Sequence, residues 1–158
     1  MVARDDVAVY FDRELEVDPV RIAALGSLAD DREPAREHEL RARYDGADLD
    51  DVARATGLTV AEVCRRHAAP TYTVETMGFA PGFAYLVGLD RALHLPRRAT
   101  PRPRVPAGAI AIAGDCTAVY PLDTPGGWHL IGTAVGARMF DDGGPLLHLG
   151  DRVRFVPC

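Results

Sequence analysis

The chain has 158 residues, of which 47% are hydrophobic, and it carries a formal net charge of -5. Its 18 basic residues are all arginine, so the absence of lysine excludes Schiff-base chemistry and a Walker-type phosphate loop. No apolar run is long enough to cross a bilayer, and the acidic balance weighs against nucleic acid as a partner. We therefore predict a cytoplasmic protein that binds neither membrane nor nucleic acid.

Residues 7–11 (VAVYF) predict a short strand, and residues 18–29 predict a helix because apolar residues recur there at helical spacing. The charged run 30–39 contains a proline and is typical of a linker. Residues 40–44 (LRARY) alternate between apolar and polar and predict the next strand. A linker therefore separates the first strand and helix from the remainder of the chain.

Two short helices are predicted between residues 48 and 67, with Gly57 ending the first and Thr59 capping the second. The same segment is compatible with a DNA-binding helix-turn-helix. The second helix offers only two arginines, at its far end, so an αα-hairpin packed on a sheet is the favoured interpretation. The residues that we expect to be buried are Leu49, Val52 and Ala53 in the first helix and Val60, Val63 and Cys64 in the second.

The pattern changes after Pro70, where short runs of β-branched and aromatic residues are separated by Gly, Pro and Asp. The runs that predict strands are TYTVETMGF, VPAGAIAIAG, TAVYPL, GWHLIGTAV and RVRFVP. Such a succession of short strands is typical of a barrel or a sandwich. The fold class that we predict is therefore mainly β with α.

No familiar catalytic array can be assembled from the sequence. The only serine is Ser27, and the three cysteines are too widely spaced for a disulfide framework or a zinc site. Cys116 is the best candidate for a reactive thiol, with histidines elsewhere as partners, although a small apolar filler is the commoner role. We assign no catalytic residue and no metal ligand from the sequence.

Residues 78–89 (GFAPGFAYLVGL) hold three aromatic residues and three glycines. A proline and a glycine interrupt the run, so it does not alternate as a simple strand would. A loop that carries aromatics fits the rim of a pocket, which makes Phe79, Phe83 and Tyr85 candidate wall residues. Phe79 taken by itself also fits a core position.

Residues 95–114 hold four arginines among prolines, at positions 97, 98, 102 and 104. Prolines stiffen the backbone, and a guanidinium matches a carboxylate or a phosphate with two parallel hydrogen bonds. The segment is therefore either an anion clamp or a solvated charged loop, and both interpretations stay open.

In residues 120–132 (YPLDTPGGWHLIG), the run 123–127 (DTPGG) predicts a sharp turn that contains Gly126 and Gly127. Paired glycines let the backbone approach a neighbouring group closely. The turn is therefore a functional candidate, whereas Trp128 is interpreted as a core anchor.

These three stretches, in this order, resemble the family of the 5-oxoprolinase B subunit, also called allophanate hydrolase subunit 1, which includes Kip-type inhibitors of a sporulation kinase. The resemblance covers about residues 38–158, including the helix pair. It implies a cyclophilin-like β-barrel domain at 37–158, preceded by a ferredoxin-like α+β domain. We expect residues 1–36 to form a truncated version of that preceding domain, followed by the linker.

The resemblance also implies an activity: hydrolysis of 5-oxoproline to glutamate, with ATP and Mg²⁺ as the co-substrate of a complex. It implies two partners, a sister cyclophilin-like subunit of the allophanate hydrolase subunit 2 type and a third, lactam-utilisation subunit. The chain alone is expected to be inactive. Two alternatives stay open, namely a regulatory module that inhibits a sensor histidine kinase and a subunit of allophanate hydrolase in urea breakdown.

Carried onto matching positions, the resemblance implies one site for substrate or nucleotide. The chain departs from the family pattern in two places. Cys116 stands where Gln is usual, and Thr133-Ala134 stands where Arg-Thr is usual. The expected site residues are Phe79, Phe83, Tyr85, Arg97, Arg102, Thr117, Gly126 and Gly127.

Overall fold

The three-dimensional structure is a computed structural model, and it describes residues 34–158. The strand and helix predicted at 7–11 and 18–29, and most of the predicted segment 1–36, lie outside the described residues. The strand predicted at 40–44 is present and begins slightly earlier, at Glu37.

Within the described residues, strands dominate and two helices interrupt them near the start. The strands are β1 (Glu37–Arg43), β2 (Tyr72–Met77), β3 (Ala84–Val87), β4 (Arg102–Val105), β5 (Ala109–Ala113), β6 (Cys116–Val119), β7 (Thr124–Gly126), β8 (His129–Ala134), β9 (Phe140–Asp141), β10 (Gly144–Pro145) and β11 (Arg152–Pro157). The helices are α1 (Leu49–Thr56) and α2 (Val60–Ala68), and a single 3₁₀ turn spans Arg91–Leu93.

Seven of these strands close into a barrel in the order β1-β11-β2-β3-β6-β5-β8. β8 pairs with β1 to complete the ring, with Ala134 opposite Ala42. β1 and β11 run parallel, with Leu40 opposite Phe155, and the other barrel pairs are antiparallel. Closure leaves no unpaired sheet edge in the ring. The predicted class, mainly β with α and built on a barrel, is confirmed.

Two short ribbons stand outside the barrel. β4 pairs with β7, which sets Arg102 opposite Gly126, and β9 pairs with β10. The sequence did not predict β4, because its prolines obscure the strand pattern. Proline is tolerated in a two-stranded ribbon of this kind, since it lies at an edge. The ribbon joins the arginine-rich segment to Gly126 and Gly127, the pair called the glycine turn here. The sharp turn predicted over 123–127 is wrong in part, because Thr124–Gly126 are extended in β7 and the chain bends on either side of them, at Asp123 and at Trp128.

Both predicted helices are present, and their ends lie where local chemistry sets them. Gly57 ends α1 in the left-handed region, at φ 70°, and Thr59 caps α2 through reciprocal hydrogen bonds with Glu62. The expected burial is correct for α1 and for Val63, wrong for Val60, which is exposed, and correct only in part for Cys64, which is half-buried. His67 is the residue buried at the end of α2 instead. The pair packs on β8 and β11, as the αα-hairpin interpretation predicts.

Strand β5 (AIAIA) is buried along its whole length because both of its faces are covered. Its isoleucines, Ile110 and Ile112, point into the main barrel core with Val74 and Leu86. Its alanines face a second cluster that contains Phe83, Tyr120 and Trp128. Alternate residues point to opposite faces of a strand, so small side chains on this face leave room for large rings. No helix of the described residues has the length and hydropathy of a membrane span.

Candidate functional site

A cavity of about 750 Å³ opens beside this second cluster. Its wall is formed by β2, the aromatic loop (residues 78–83), the start of β6, the arginine-rich segment (residues 95–104) and the glycine turn. Of the eight site residues expected from the sequence, six line it. The lining residues are Glu75, Thr76, Met77, Gly78, Phe79, Phe83, Tyr85, Arg97, Cys116, Tyr120, Gly126, Gly127 and Trp128.

The aromatic loop is a tight turn held by its own backbone. The amide of Gly78 donates to the carbonyl of Phe83 at 3.1 Å, and the amide of Phe83 donates to Ala80 at 3.0 Å. Phe79 adopts a φ of 74°, which is strained for a residue with a side chain, and its ring is 60% exposed at the cavity rim. The core position that its sequence also allowed is therefore wrong.

Phe83 is the centre of the aromatic wall. Its buried ring makes edge-to-face contacts with four neighbours at centroid distances of 5.0 to 5.7 Å. Edge-to-face pairs of this kind add to the stabilisation from burial alone. The four neighbours are Phe79, Tyr85, Tyr120 and Trp128. Trp128 is 5% exposed, so it is a core anchor, as expected, and a wall of the cavity as well.

Tyr120 is a cavity residue that the sequence-based site omitted, although it lies in the third motif. Burial raises the pKa of its phenol, and a backbone hydrogen bond with Trp128 and the charge of Arg97 partly offset that effect. A Cβ placed on Gly126 would overlap the Tyr120 hydroxyl. The first glycine of the turn is therefore required for the phenol to reach this position, which the motif alone did not reveal.

The four arginines of the Pro-rich segment divide into three roles. Arg97 lines the cavity, and Arg104 pairs with Asp123 on the surface. Arg98 and Arg102 both bind Asp48, at 2.7 Å and 2.6 Å from its Oδ1. Of the two arginines expected to form an anion clamp, only Arg97 therefore lines the cavity, because the guanidinium of Arg102 is already paired with the carboxylate of Asp48.

Asp48 is almost completely buried and is fully hydrogen-bonded. Its Oδ2 accepts from Arg102 Nη1 at 2.9 Å and from the backbone amide of Leu130 at 2.7 Å. Burial by itself raises the pKa of the carboxyl. The hydrogen bonds from Arg102 and Leu130, together with the charges of Arg102 and Arg98, lower it by a larger amount, so the pKa of Asp48 lies below its ordinary value. Asp48 is therefore a charged anchor between α1, β8 and the arginine-rich segment.

The backbone on both sides of Arg97 is also fixed. Nε2–H of His129 donates to the carbonyl of Pro96 at 2.9 Å. The amide of Arg98 donates to the carbonyl of Gly127 at 2.8 Å. The segment that presents the Arg97 guanidinium is thus held to the glycine turn on one side and to Asp48 on the other.

Thr117 lies in the core and does not line the cavity, contrary to the expectation from the resemblance. Its Oγ1 donates to the carbonyl of Ala111 at 3.0 Å and therefore accepts from Nε2–H of His67 at 2.9 Å. Nδ1 of His67 then accepts from the Tyr44 hydroxyl at 2.8 Å. Burial lowers the pKa of His67 to about 3, so the ring is neutral in this network.

The two departures from the family pattern fall in different places. Cys116 lines the cavity, where its thiol lies 3.4 Å from Asp115 Oδ1. Thr133 lies at the seam between β1 and β8, where its hydroxyl donates to Asp45 at 2.8 Å. Only the change at Cys116 therefore alters the chemistry of the cavity wall.

The ionisable side chains that line the cavity are few. Arg97 is its one guanidinium and Glu75 its one carboxylate, among the described lining residues. The remaining polar groups are the phenols of Tyr85 and Tyr120, the indole N–H of Trp128, the Cys116 thiol, Thr76 and the backbone at the glycine turn. Across residues 34–158, no group of three or more His, Cys, Asp or Glu side chains is placed to hold a metal ion. The arrangement suits a small organic anion that has an apolar body.

Comparison with known proteins identifies the family. Residues 2–145 match the family described as "Carboxyltransferase domain, subdomain C and D". The chain is 50% identical over 115 residues to the 5-oxoprolinase B subunit of Escherichia coli O157:H7, which covers 71% of this chain and 52% of that protein. It is 47% identical over 114 residues to the Haemophilus influenzae protein of the same name, covering 70% and 53%. The chain therefore belongs to this carboxyltransferase-domain family, the one in which the 5-oxoprolinase B subunit is found.

Solved structures agree on the fold. The crystal structure of TTHA0988 superposes with a TM-score of 0.75 at 46% identity, over 78% of this chain and 26% of that one. The urea amidolyase of K. lactis superposes with a TM-score of 0.59 at 16% identity, over 78% and 10%, which is a likeness of fold alone. The cyclophilin-like barrel that the resemblance implied is consistent with both. The chain spans about half the length of the curated relatives it matches.

Proposed function

We propose that this chain is a subunit of a cytoplasmic, ATP-dependent amide hydrolase that opens 5-oxoproline to glutamate. The observation that carries the proposal is Arg97, the guanidinium that lines an aromatic cavity in a chain related to proteins named as the B subunit of 5-oxoprolinase. The sister cyclophilin-like subunit and the lactam-utilisation subunit are its proposed partners. The relatives are named as one subunit of an enzyme, which supports an assembly of several chains.

In this proposal, Arg97 binds the carboxylate of 5-oxoproline with two parallel hydrogen bonds. The ring of the substrate lies against the aromatic wall, chiefly Phe83 and Trp128. The glycine turn presents backbone to the same space, where an amide can meet the oxyanion that forms as the lactam carbonyl is attacked. These roles suit the residue types, and the fixed backbone around Arg97 supports the geometry that they need.

Mg²⁺-ATP, which the proposed reaction consumes, does not fit this cavity. A triphosphate requires several cationic groups and a metal held by carboxylates, whereas the described wall supplies one guanidinium and one carboxylate. This cavity therefore takes no part in binding the nucleotide. Its binding site is proposed to be on a partner subunit, with ATP activating the lactam at the assembled complex.

The test is reconstitution of the complete complex and measurement of ATP-dependent glutamate release. Arg97→Ala is expected to lower kcat/KM for 5-oxoproline by about 100-fold, since a charge-assisted hydrogen bond to the substrate is lost. Arg97→Lys should recover part of the rate. Arg104→Ala, in the same segment but on the surface, is the matched control and should leave the rate unchanged.

Absence of glutamate release from the complete complex would overturn the proposal. Turnover of allophanate in its place would assign the chain to urea breakdown. Retention of a histidine kinase with no turnover of either substrate would assign it to the regulatory class.

A further inference from the structure

Glu75 is an exposed residue of β2 that lines the cavity beside an irregularity of the strand. Val74 pairs with Leu86 of β3, and Thr76 pairs with Tyr85, which is the adjacent residue on that strand. Glu75 is therefore an extra residue, inserted between two consecutive ladder pairs. Such a bulge bends a strand and re-aims its side chains, and bulges of this kind are common next to active sites.

The bulge changes which side chains reach the cavity. In a regular strand, alternate residues point to opposite faces. Here Val74 is buried in the barrel core, whereas Glu75, Thr76 and Met77 all line the cavity in succession. Alternation turns Glu75 away from Val74 and toward the cavity, and the bulge keeps Thr76 on the same side, so the strand presents a carboxylate next to a hydroxyl.

The two charged residues of the wall come from separate elements and have opposite sign. Arg97 belongs to the segment before β4, and Glu75 belongs to β2. A ligand that matches both carries an anionic group and a nitrogen with at least one proton. 5-Oxoproline and α-amino acids carry these two groups on the same carbon atom, whereas simple carboxylates have only the first.

We infer that Glu75 determines specificity by binding the nitrogen of the ligand, an inference that rests on the proposed function. The carboxylate accepts a hydrogen bond from the ring N–H of 5-oxoproline. Hydrolysis breaks the bond between the carbonyl carbon and this nitrogen, the water oxygen remains on the carbon as carboxylate, and both water protons end on the nitrogen. The resulting α-ammonium then forms an ion pair with Glu75, so the same residue retains the product glutamate.

The inference is tested in the reconstituted complex with three ligands. These are 5-oxoproline as substrate, and the lactone 5-oxotetrahydrofuran-2-carboxylate and L-glutamate as competitive inhibitors. The lactone has a ring oxygen where the substrate has N–H. Glu75→Leu should raise KM for 5-oxoproline and Ki for L-glutamate by about 10- to 100-fold and leave Ki for the lactone nearly unchanged.

Glu75→Gln separates the two parts of the inference. Its amide oxygen still accepts from the lactam N–H, so KM should return to near the wild-type value, while the lost charge keeps Ki for L-glutamate high. Asp142→Asn, an exposed residue outside the cavity wall, is the control and should move none of the three constants.

The outcomes distinguish this inference from the proposed function. If the wild-type complex turns over 5-oxoproline but Glu75→Leu shifts all three constants equally, or none of them, the role of Glu75 is overturned and the proposed function stands. If the wild-type complex does not turn over 5-oxoproline, both fall. A shift confined to the two nitrogen-bearing ligands supports the inference.

Discussion

The carboxylate of Asp48 and the guanidinium of Arg102 form a two-pronged ion pair, with Nη1 2.9 Å from Oδ2 and Nη2 2.6 Å from Oδ1. Arg98 adds a third contact to the same carboxylate, at 2.7 Å. One buried acid thereby fixes the segment that carries Arg97 to the start of α1. Asp48 thus binds Arg98 and Arg102, two of the four arginines that the sequence presents as a possible clamp.

Removal of Asp48 should destabilise the fold. Asp48→Ala leaves two guanidinium groups and the amide of Leu130 without their acceptor, so we expect the free energy of unfolding to fall by about 3 kcal/mol. Urea denaturation followed by Trp128 fluorescence measures it. Glu39→Ala, which removes the exposed partner of Arg154, is the control and should have little effect. Equal losses in the two variants would contradict the anchoring role.

Gly126→Ala should lower the stability of the fold, whereas Gly127→Ala should leave it nearly unchanged. A Cβ on Gly126 would lie 2.8 Å from Cζ of Tyr120 and would overlap its hydroxyl, and Tyr120 is too tightly packed to move. Overpacking of this kind costs about 1–3 kcal/mol. A Cβ on Gly127 would lie 3.7 Å from Pro101, which is an ordinary contact. Thermal unfolding of the two alanine variants, side by side, is the measurement, and equal melting temperatures would refute this explanation of the paired glycines.

The strained backbone at Phe79 predicts an unusual order of stabilities. Phe79→Ala and Phe79→Gly both lose the ring contacts with Phe83 and Tyr120. Only glycine adopts a φ of 74° without steric strain. The glycine variant should therefore be more stable than the alanine variant by about 1 kcal/mol. Urea midpoints of the two proteins decide the matter. An alanine variant that matched or exceeded the glycine variant would show that the strain is not present in solution.

Stability should depend on pH through His67. Its pKa is about 3 in the folded protein, because burial disfavours the charged ring, and about 6.5 in the unfolded chain. Between these values the unfolded state binds more protons, so the free energy of unfolding should fall as the pH falls, by about 1.4 kcal/mol per unit. Measurements between pH 6.5 and 5 isolate this effect, since the carboxyl groups whose pKa values are lowered, Glu62 and Asp48 among them, reduce stability only as the pH falls below about 5.

Two variants check the assignment to His67. His67→Gln keeps an acceptor for Tyr44 and a donor for Thr117 but has no titrating group, so the slope over this pH range should largely disappear. His94→Gln, at an exposed histidine, should retain the slope of the wild type. A steep slope in His67→Gln would assign the effect to another group.

Much of the fold followed from local chemistry. The ends of α1 and α2 could be predicted because a glycine and a threonine cap act within a few residues of the backbone that they stop or start. The strands after Pro70 were recognisable from short β-branched and aromatic runs between turn residues. Six of the eight expected site residues line the cavity, and five of them belong to the aromatic loop with its following strand or to the glycine turn, which are continuous stretches of sequence.

Other features were decided by contacts between distant parts of the chain. Asp48 is 54 residues from Arg102 and 82 from Leu130, so no local pattern identifies it as the acid that binds the arginine-rich segment. Thr117 looked like a site residue because it adjoins a motif, but closure of the barrel placed it against His67, 50 residues away.

The sequence by itself determined which segments become helices, strands and turns, and it supplied the aromatic and glycine motifs of the cavity. Only the tertiary structure decided which charged groups neutralise one another inside the protein and which remain at the cavity. Arg102 and Arg97 have the same side chain in the same segment, and they differ because closure of the fold brings a buried carboxylate to one of them. The bulge in β2 likewise sets Thr76 beside Glu75 on the cavity side, and a bulge is a property of the pairing between two strands and not of either strand alone.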